Sequence, residues 1–314
     1  MSDTHHLIVS YAGSCEAACL QALQDLALPH LGALLKSLTI SHTDNGDERD
    51  FAPPHERALA RALGLPTDAT PWAALHQAQQ GHHPGNTACA FVTPSHWRIG
   101  ADRVHMGDPS ATQLDDAASQ ALLSIVAPWF LEDGIALHYD RADRWLAEGE
   151  IFRDLRTASI DRVAQRDVRP WLPDISQAKV LHRLQSEMQM LLYTHAFNDG
   201  REAARLPAIN AFWFHGAGAL PAGYRVPANP PAVDDRLRSP TLASNWPAWA
   251  KAWQALDAEA LAPLQQAAAA RQTVALTLCG EHNAVTYRNT AQPLWQKIKQ
   301  QFTAVRPADV LKQL

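Results

Sequence analysis

Apolar positions recur along this chain with two periods, one near two residues and one near three and a half. A short apolar run at 6–10 is closed by Ala12-Gly13-Ser14, and apolar residues then fall at helical spacing over 15–35, which predicts strand, turn and helix. Residues 41–54 gather turn formers and charges and predict an exposed loop. "PPHERALARALGL" opens with proline in a first helical turn and stops at Gly64, the asymmetry of a short helix. After the turn "QGHHPGN", residues 88–94 are β-prone, and Gly100-Ala101-Asp102 between two short runs predicts a hairpin. Asp115-Asp116 supplies an acidic start for a helix over 117–131 that Gly134 ends. Residues 135–139 read as a strand, and "DRADRWLAEGE" as a turn into another short one.

Prolines and charges make 157–173 irregular or briefly helical. The clearest amphipathic helix spans 178–195, with Leu181, Leu184, Met188, Leu191, Leu192 and His195 on one stripe. A buried strand over 207–214, a proline-rich connector over 221–240, an alanine-rich helix over 245–272 and a core strand over 273–278 complete the pattern. Strands interleaved with helices predict an α/β fold with a mostly parallel central sheet flanked by helices. It spans 1–314 as a single large unit or as two lobes.

Composition narrows the function classes. With 46% apolar and 19% charged residues the chain can bury a large core. A net charge of −5 offers no broad basic surface, so nucleic acid is not an expected partner. The first apolar run is far too short for a secretory or membrane segment, which leaves the cytoplasm as the expected address and no membrane as partner. Cys15, Cys19, Cys89 and Cys279 are too few for a disulfide scaffold and read as structural thiols. The ten tryptophans are spread through the chain as packing residues.

Candidate chemistry concentrates in "YTHAFNDGREAARLPAINAFWFHGAG", residues 193–218. Arg201 and Arg205 lie one helical turn apart, so on a helix both guanidiniums can face one phosphate or carboxylate. Asn198 and Asn210 add neutral donors, and His215 sits in the strand that leaves the knot. The competing reading is a helix cap at Asn198-Asp199-Gly200 with solvated arginines. His96 and His105, with Asp102 and Asp108 nearby, and Glu281 with His282 at the end of the last core strand are weaker candidates, as metal ligands. No close His pair accompanies them. Ser14 and Cys15 stand at a strand-to-helix turn where an anion can sit, yet no Walker, dinucleotide or nucleophile-elbow pattern is present.

"LHRLQSEMQMLLYTHAFNDGREAARLPAINAFWFHGAG", with "PPHERALARALGL", "TPSHWRIGADRVHMGDP", "GIALHYD", "RWLAEGE" and "LTLCGE", resembles the proteobacterial regulatory proteins of the RpfE type over most of the chain. More distantly, "HAFNDGREAARLPAINAFWFHGAG" is similar to a segment of archaeal-type cofactor-independent phosphoglycerate mutases, of the alkaline-phosphatase-like superfamily. That resemblance implies a mutase-like fold, full or reduced, with a substrate-like lobe around 80–220, in which Asn198, Arg201 and Asn210 would hold a phosphorylated acid. Such mutases carry a metal-binding Asp-Gly after the first strand, a serine nucleophile, and further Asp and His ligands near the C-terminus. Here the first strand ends "VSYAGS" and the last "LCGEHNAV". The resemblance therefore implies a regulatory protein that binds a small anionic ligand and has lost the two-metal phosphotransferase centre. The alternatives are an active manganese- or zinc-dependent mutase or phosphatase using His96, His105, Glu281 and His282, and a factor that binds another protein. No other cofactor is expected.

Overall fold

The computed structural model of the protein describes residues 5–82, 86–289 and 306–314, and only the backbone of 175–177. Part of the turn expected at 80–86, and Trp295, lie outside the described residues. The chain divides into two compact units, Met1–Thr67 with Pro227–Leu314, and Asp68–Val226.

The first unit opens with β1 (His5–Val9), α1 (Ala17–Ala22), α2 (Pro29–Ser37), β2 (Thr39–Asn45) and α3 (Pro54–Leu63). The second holds α4 (Trp72–Gln79), β3 (Cys89–Ser95), β4 (Trp97–Ile99), β5 (Val104–Met106), α5 (Asp116–Glu132), β6 (Ala136–Arg141), β7 (Arg144–Glu148), α6 (Ile160–Val163), α7 (Ile175–Tyr193), α8 (Ala196–Ala203) and β8 (Ala211–Gly218). The first unit resumes with β9 (Ala232–Asp234), α9 (Arg238–Leu242), α10 (Trp246–Leu256), α11 (Ala262–Ala269), β10 (Val274–Cys279), β11 (Asn283–Arg288) and α12 (Pro307–Leu311).

In the first unit a five-stranded sheet runs β2-β11-β10-β1-β9. Parallel pairing is confined to β1 with its two neighbours, β10 and β9. The α/β fold with a helix-flanked sheet is as expected, and the sheet is mixed in direction because β10 turns straight into β11 through three residues, a link too short for any but antiparallel strands. The expected loop over 41–54 is loop over 46–53 and begins inside the edge strand β2, which runs to Asn45. Its polar residues face solvent at the sheet rim, where the apolar alternation that marks a strand is not needed. The expected helix over 15–35 is two helices, with Pro29 opening the second. Trp246, Trp249 and Trp253 stack edge to face at 5.8 and 6.2 Å in the core. The indoles of Trp249 and Trp253 donate to the carbonyls of Tyr11 and Ala12, anchoring the loop after β1. Between α10 and α11 a turn of π-helix over Asp257–Leu261 carries a buried Asp257, whose carboxylate accepts from the N–H groups of His30 and Leu31 and so caps α2.

In the second unit β6-β7-β3-β8 form a sheet that is antiparallel throughout. Phe130 of α5 and Leu184 and Met188 of α7 pack with Trp145, Phe212 and Phe214 of the sheet in one apolar cluster, and α4 lies against β3 and β8. Every residue of β3 is buried, as a central strand covered on both faces must be. The hairpin β4–β5 appears where the sequence predicts it. Within α7 the backbone leaves helical geometry at Ala178, near its start.

Candidate functional site

The polar knot begins where α7 ends. His195 turns the chain and its Nδ1 accepts from the N–H of Phe197, capping α8. Asn198 is 8% exposed and bridges three main-chain groups. Its Nδ2 donates to the carbonyls of Leu192 and Ile209, each at 2.9 Å, and its Oδ1 accepts from the N–H of Ile209 at 2.9 Å. Arg201 is 6% exposed. Its Nε donates to the Pro207 carbonyl at 2.8 Å and its Nη2 to the Thr112 carbonyl, while the guanidinium lies over the Phe197 ring. Burial pulls its pKa below the ordinary value. Asn210 pairs with the backbone of Trp97, accepting from its N–H at 2.7 Å and donating to its carbonyl at 2.9 Å.

These bonds give the knot's donors main-chain partners. The amide donors of Asn198 and Asn210, and two of the guanidinium nitrogens of Arg201, hold the loop 204–210 and the start of β4 in place of ladder bonds that irregular backbone cannot make. Arg205 does not stand with Arg201, because α8 ends at Ala203 and Arg205 takes a left-handed φ of 59° in an exposed turn. His215 is half-buried in β8 with its Nε2 3.1 Å from Thr93 Oγ1. Burial, with the positive Arg144 nearby, lowers its pKa from 6.5 to about 3 and keeps it neutral. Beside the knot lies a depression of about 1030 Å³ that Asn198 and Asn210 line together with Asp199 and Glu202, and neither Arg201 nor Arg205 reaches its lining.

His96 and His105 belong to the second unit and Glu281 and His282 to the first. His96 Nδ1 lies 2.7 Å from the Ala208 carbonyl, a further strut of the knot. Asp108 accepts from the N–H of Ser110 and caps a short turn. Among the described residues, no group of three or more His, Cys, Asp or Glu side chains is placed to hold a metal ion.

The carboxyl ends of β1 and β10 are where an open α/β sheet usually carries its ligand. Here Glu281 occupies that position, and its Oε2 accepts from the Cys15 N–H at 3.2 Å, from the Cys15 thiol at 3.0 Å and from the Ser14 hydroxyl at 3.3 Å. Burial works against the carboxylate, yet these donors hold it below its ordinary pKa. The same bond raises the pKa of Cys15, so this thiol stays protonated and is no activated nucleophile. One carboxylate, a thiol and a hydroxyl do not fit the oxygen-rich shell of two catalytic divalent ions.

The C-terminal segment closes the same corner. Leu311 and Leu314 are buried, and the Leu314 carbonyl accepts from the N–H groups of His282 and Asn283 at 3.4 and 3.0 Å. A Cβ on Gly13 would run into the Leu311 carbonyl and one on Gly280 into Leu314, so both glycines are required by close backbone approach. Alongside, the buried Arg57 ties three chain segments together. It reaches the Asp44 carboxylate at 3.2 Å, that of Asp50 at 3.3 Å, and the carbonyls of Ala52 and His282, each at 2.8 Å. Sequence reasoning missed this clamp, because "DNGDERD" reads as solvated charge. It also missed Leu311 and Leu314, whose short apolar pattern gives no sign of what it covers.

No family model matches the chain, and no curated protein is similar to it. Among solved structures it is similar to the cofactor-independent phosphoglycerate mutase from Thermoplasma acidophilum, with 16% identity, a TM-score of 0.39, and coverage of 94% of this chain and 91% of that one. It is also similar to a Pyrococcus horikoshii protein, with 11% identity, a TM-score of 0.43, and coverage of 92% and 88%.

Proposed function

We propose that this protein is a phosphoglycerate-mutase-like binding protein that acts by engaging a partner and does not transfer phosphoryl groups. One observation carries the reading. At the strand ends of the first unit, where a phosphotransferase would present metal ligands to solvent, the Glu281 carboxylate is bonded to Ser14 and Cys15, and Leu311 and Leu314 pack over Gly13 and Gly280. In-line phosphoryl transfer depends on divalent ions to neutralise charge on the transferring group, and this corner offers them no ligand shell.

A protein partner is favoured over a small phosphorylated acid at the knot by the main-chain bonds that Asn198, Arg201 and Asn210 make there. The sequence resemblance to RpfE-type regulatory proteins supports a regulatory role. Full-length protein purified without chelator and assayed with phosphoglycerate and an aryl phosphate, with manganese or zinc added, tests this. The expected result is no turnover above buffer and no stoichiometric bound metal. Turnover that scales with enzyme and is lost in Glu281→Gln would instead establish a rearranged metal-dependent enzyme.

A further inference from the structure

The second unit is apolar along one face that solvent reaches. Met190 and Tyr193 of α7 are 78% and 86% exposed, and Ile99 at the end of β4 is 68% exposed. All three line the depression of about 1030 Å³ beside the knot, together with Ser186 and Gln189. Positions 186, 189, 190 and 193 follow the spacing i, i+3, i+4, i+7, so they form a single face of α7. The core-facing stripe of the same helix, Leu184, Met188 and Leu192, is fully buried.

An exposed helical face of this kind has the complement of another helix, and α8 supplies the second wall of the trough. Its volume sits at the upper end of small-molecule pockets, which suits side chains of a polypeptide better than a metabolite. Methionine and tyrosine are the residues that adapt to and anchor protein partners.

Charge selects among occupants. The charged side chains that line the trough are Asp199 and Glu202, one turn apart on α8, and among the described residues no lysine or arginine lines it. An anionic occupant would meet two carboxylates without a cation to answer them, whereas a cationic flank is attracted. A second copy of this chain laid face to face would bring the same carboxylates together, which disfavours a homodimer through this surface. We propose that the α7–α8 face of the second unit docks an amphipathic helix of a partner protein, with an apolar stripe on Met190, Tyr193 and Ile99 and lysine or arginine along its flank toward Asp199 and Glu202. This deepens the binding role proposed above and rests on it.

Fluorescence anisotropy of the full chain with two labelled helical peptides of about 18 residues tests it. The peptides share one leucine stripe, with lysine flanks in one and glutamate flanks in the other. The lysine peptide should bind saturably, at least about tenfold more tightly than the glutamate peptide, and weaken as salt is raised. Met190→Ser should weaken it about tenfold, and the double variant Asp199→Lys with Glu202→Lys should invert the preference, with circular dichroism melts showing both variants folded. Equal binding of the two peptides, no binding of either, or a preference unchanged by charge reversal would overturn the proposal. So would concentration-dependent self-association, seen by light scattering and abolished by Met190→Ser. None of these results bears on phosphatase turnover or metal content, so a failure here is distinct from a failure of the binding-protein reading itself.

Discussion

Two corners of this protein carry polar residues that a sequence reader would assign to ligands, and both spend them internally. At the strand ends of the first unit, Glu281 is consumed by Ser14 and Cys15 beneath the buried Leu311 and Leu314. At the knot of the second unit, Asn198, Arg201 and Asn210 are consumed by carbonyls and N–H groups of irregular backbone. The difference lies in what stands next to each. At the first corner the buried Leu311 and Leu314 lie against Gly13 and Gly280, while the second borders an open trough whose exposed side chains are apolar or acidic. A polar cluster in a sequence therefore marks either a ligand or a backbone that cannot satisfy itself, and only the identity of the acceptors separates the two.

The comparison breaks first at Asn198. Asn198→Ala removes a donor from the Leu192 and Ile209 carbonyls and the acceptor of the Ile209 N–H in a buried site, and should cost about 3 kcal/mol or more, read as a lowered urea midpoint. A cost below about 1 kcal/mol would mean that the amide is free for a ligand. Next comes the sealed corner, where Gly280→Val forces a side chain against Leu314 and should cost about 2 kcal/mol in the same measurement.

A smaller effect separates the units by pH. His6 and His215 have pKa values lowered from 6.5 to about 4 and about 3, burial being the main cause in each. Each unfolded imidazole takes a proton that the folded one refuses, so their contribution to stability is complete above 6.5 and falls as pH drops from there toward 4 and 3. His215→Gln should flatten that slope, as seen in urea midpoints between pH 7 and 4.5, taken about half a unit apart. An unchanged slope would place the titration elsewhere. The smallest effect is expected at the trough, where Met190→Ser and Arg205→Ala should each shift stability by no more than about 0.5 kcal/mol in thermal melts.

Much of the fold is legible in the sequence because period and punctuation agree. Residues 54–64 show proline at the start and glycine at the stop, and Leu184, Met188 and Leu192 fall on the helical stripe that the core buries. What is hidden has physical causes. β2 carries no alternation because its faces meet solvent at a sheet edge, and α2 separates from α1 at Pro29 although the apolar spacing runs through both. The mixed character of the first sheet depends on the three-residue link between β10 and β11, which apolar periodicity does not report. At the knot, residue types are legible but their acceptors are not. A donor-rich run looks the same whether it faces a phosphate or the carbonyls of Leu192, Pro207 and Ile209. The trough has a faint signal, since Met190 and Tyr193 lie off the buried stripe of α7, where polar residues would be expected.

The proposal rests most on the strand-end corner of the first unit, where it assigns no metal or phosphate site. Titration calorimetry of manganese, followed by phosphoglycerate, into the full chain tests it most directly. The account predicts no saturable heat for either, in the unmodified protein and in Glu281→Gln alike. Stoichiometric, saturable binding that disappears in Glu281→Gln would contradict it.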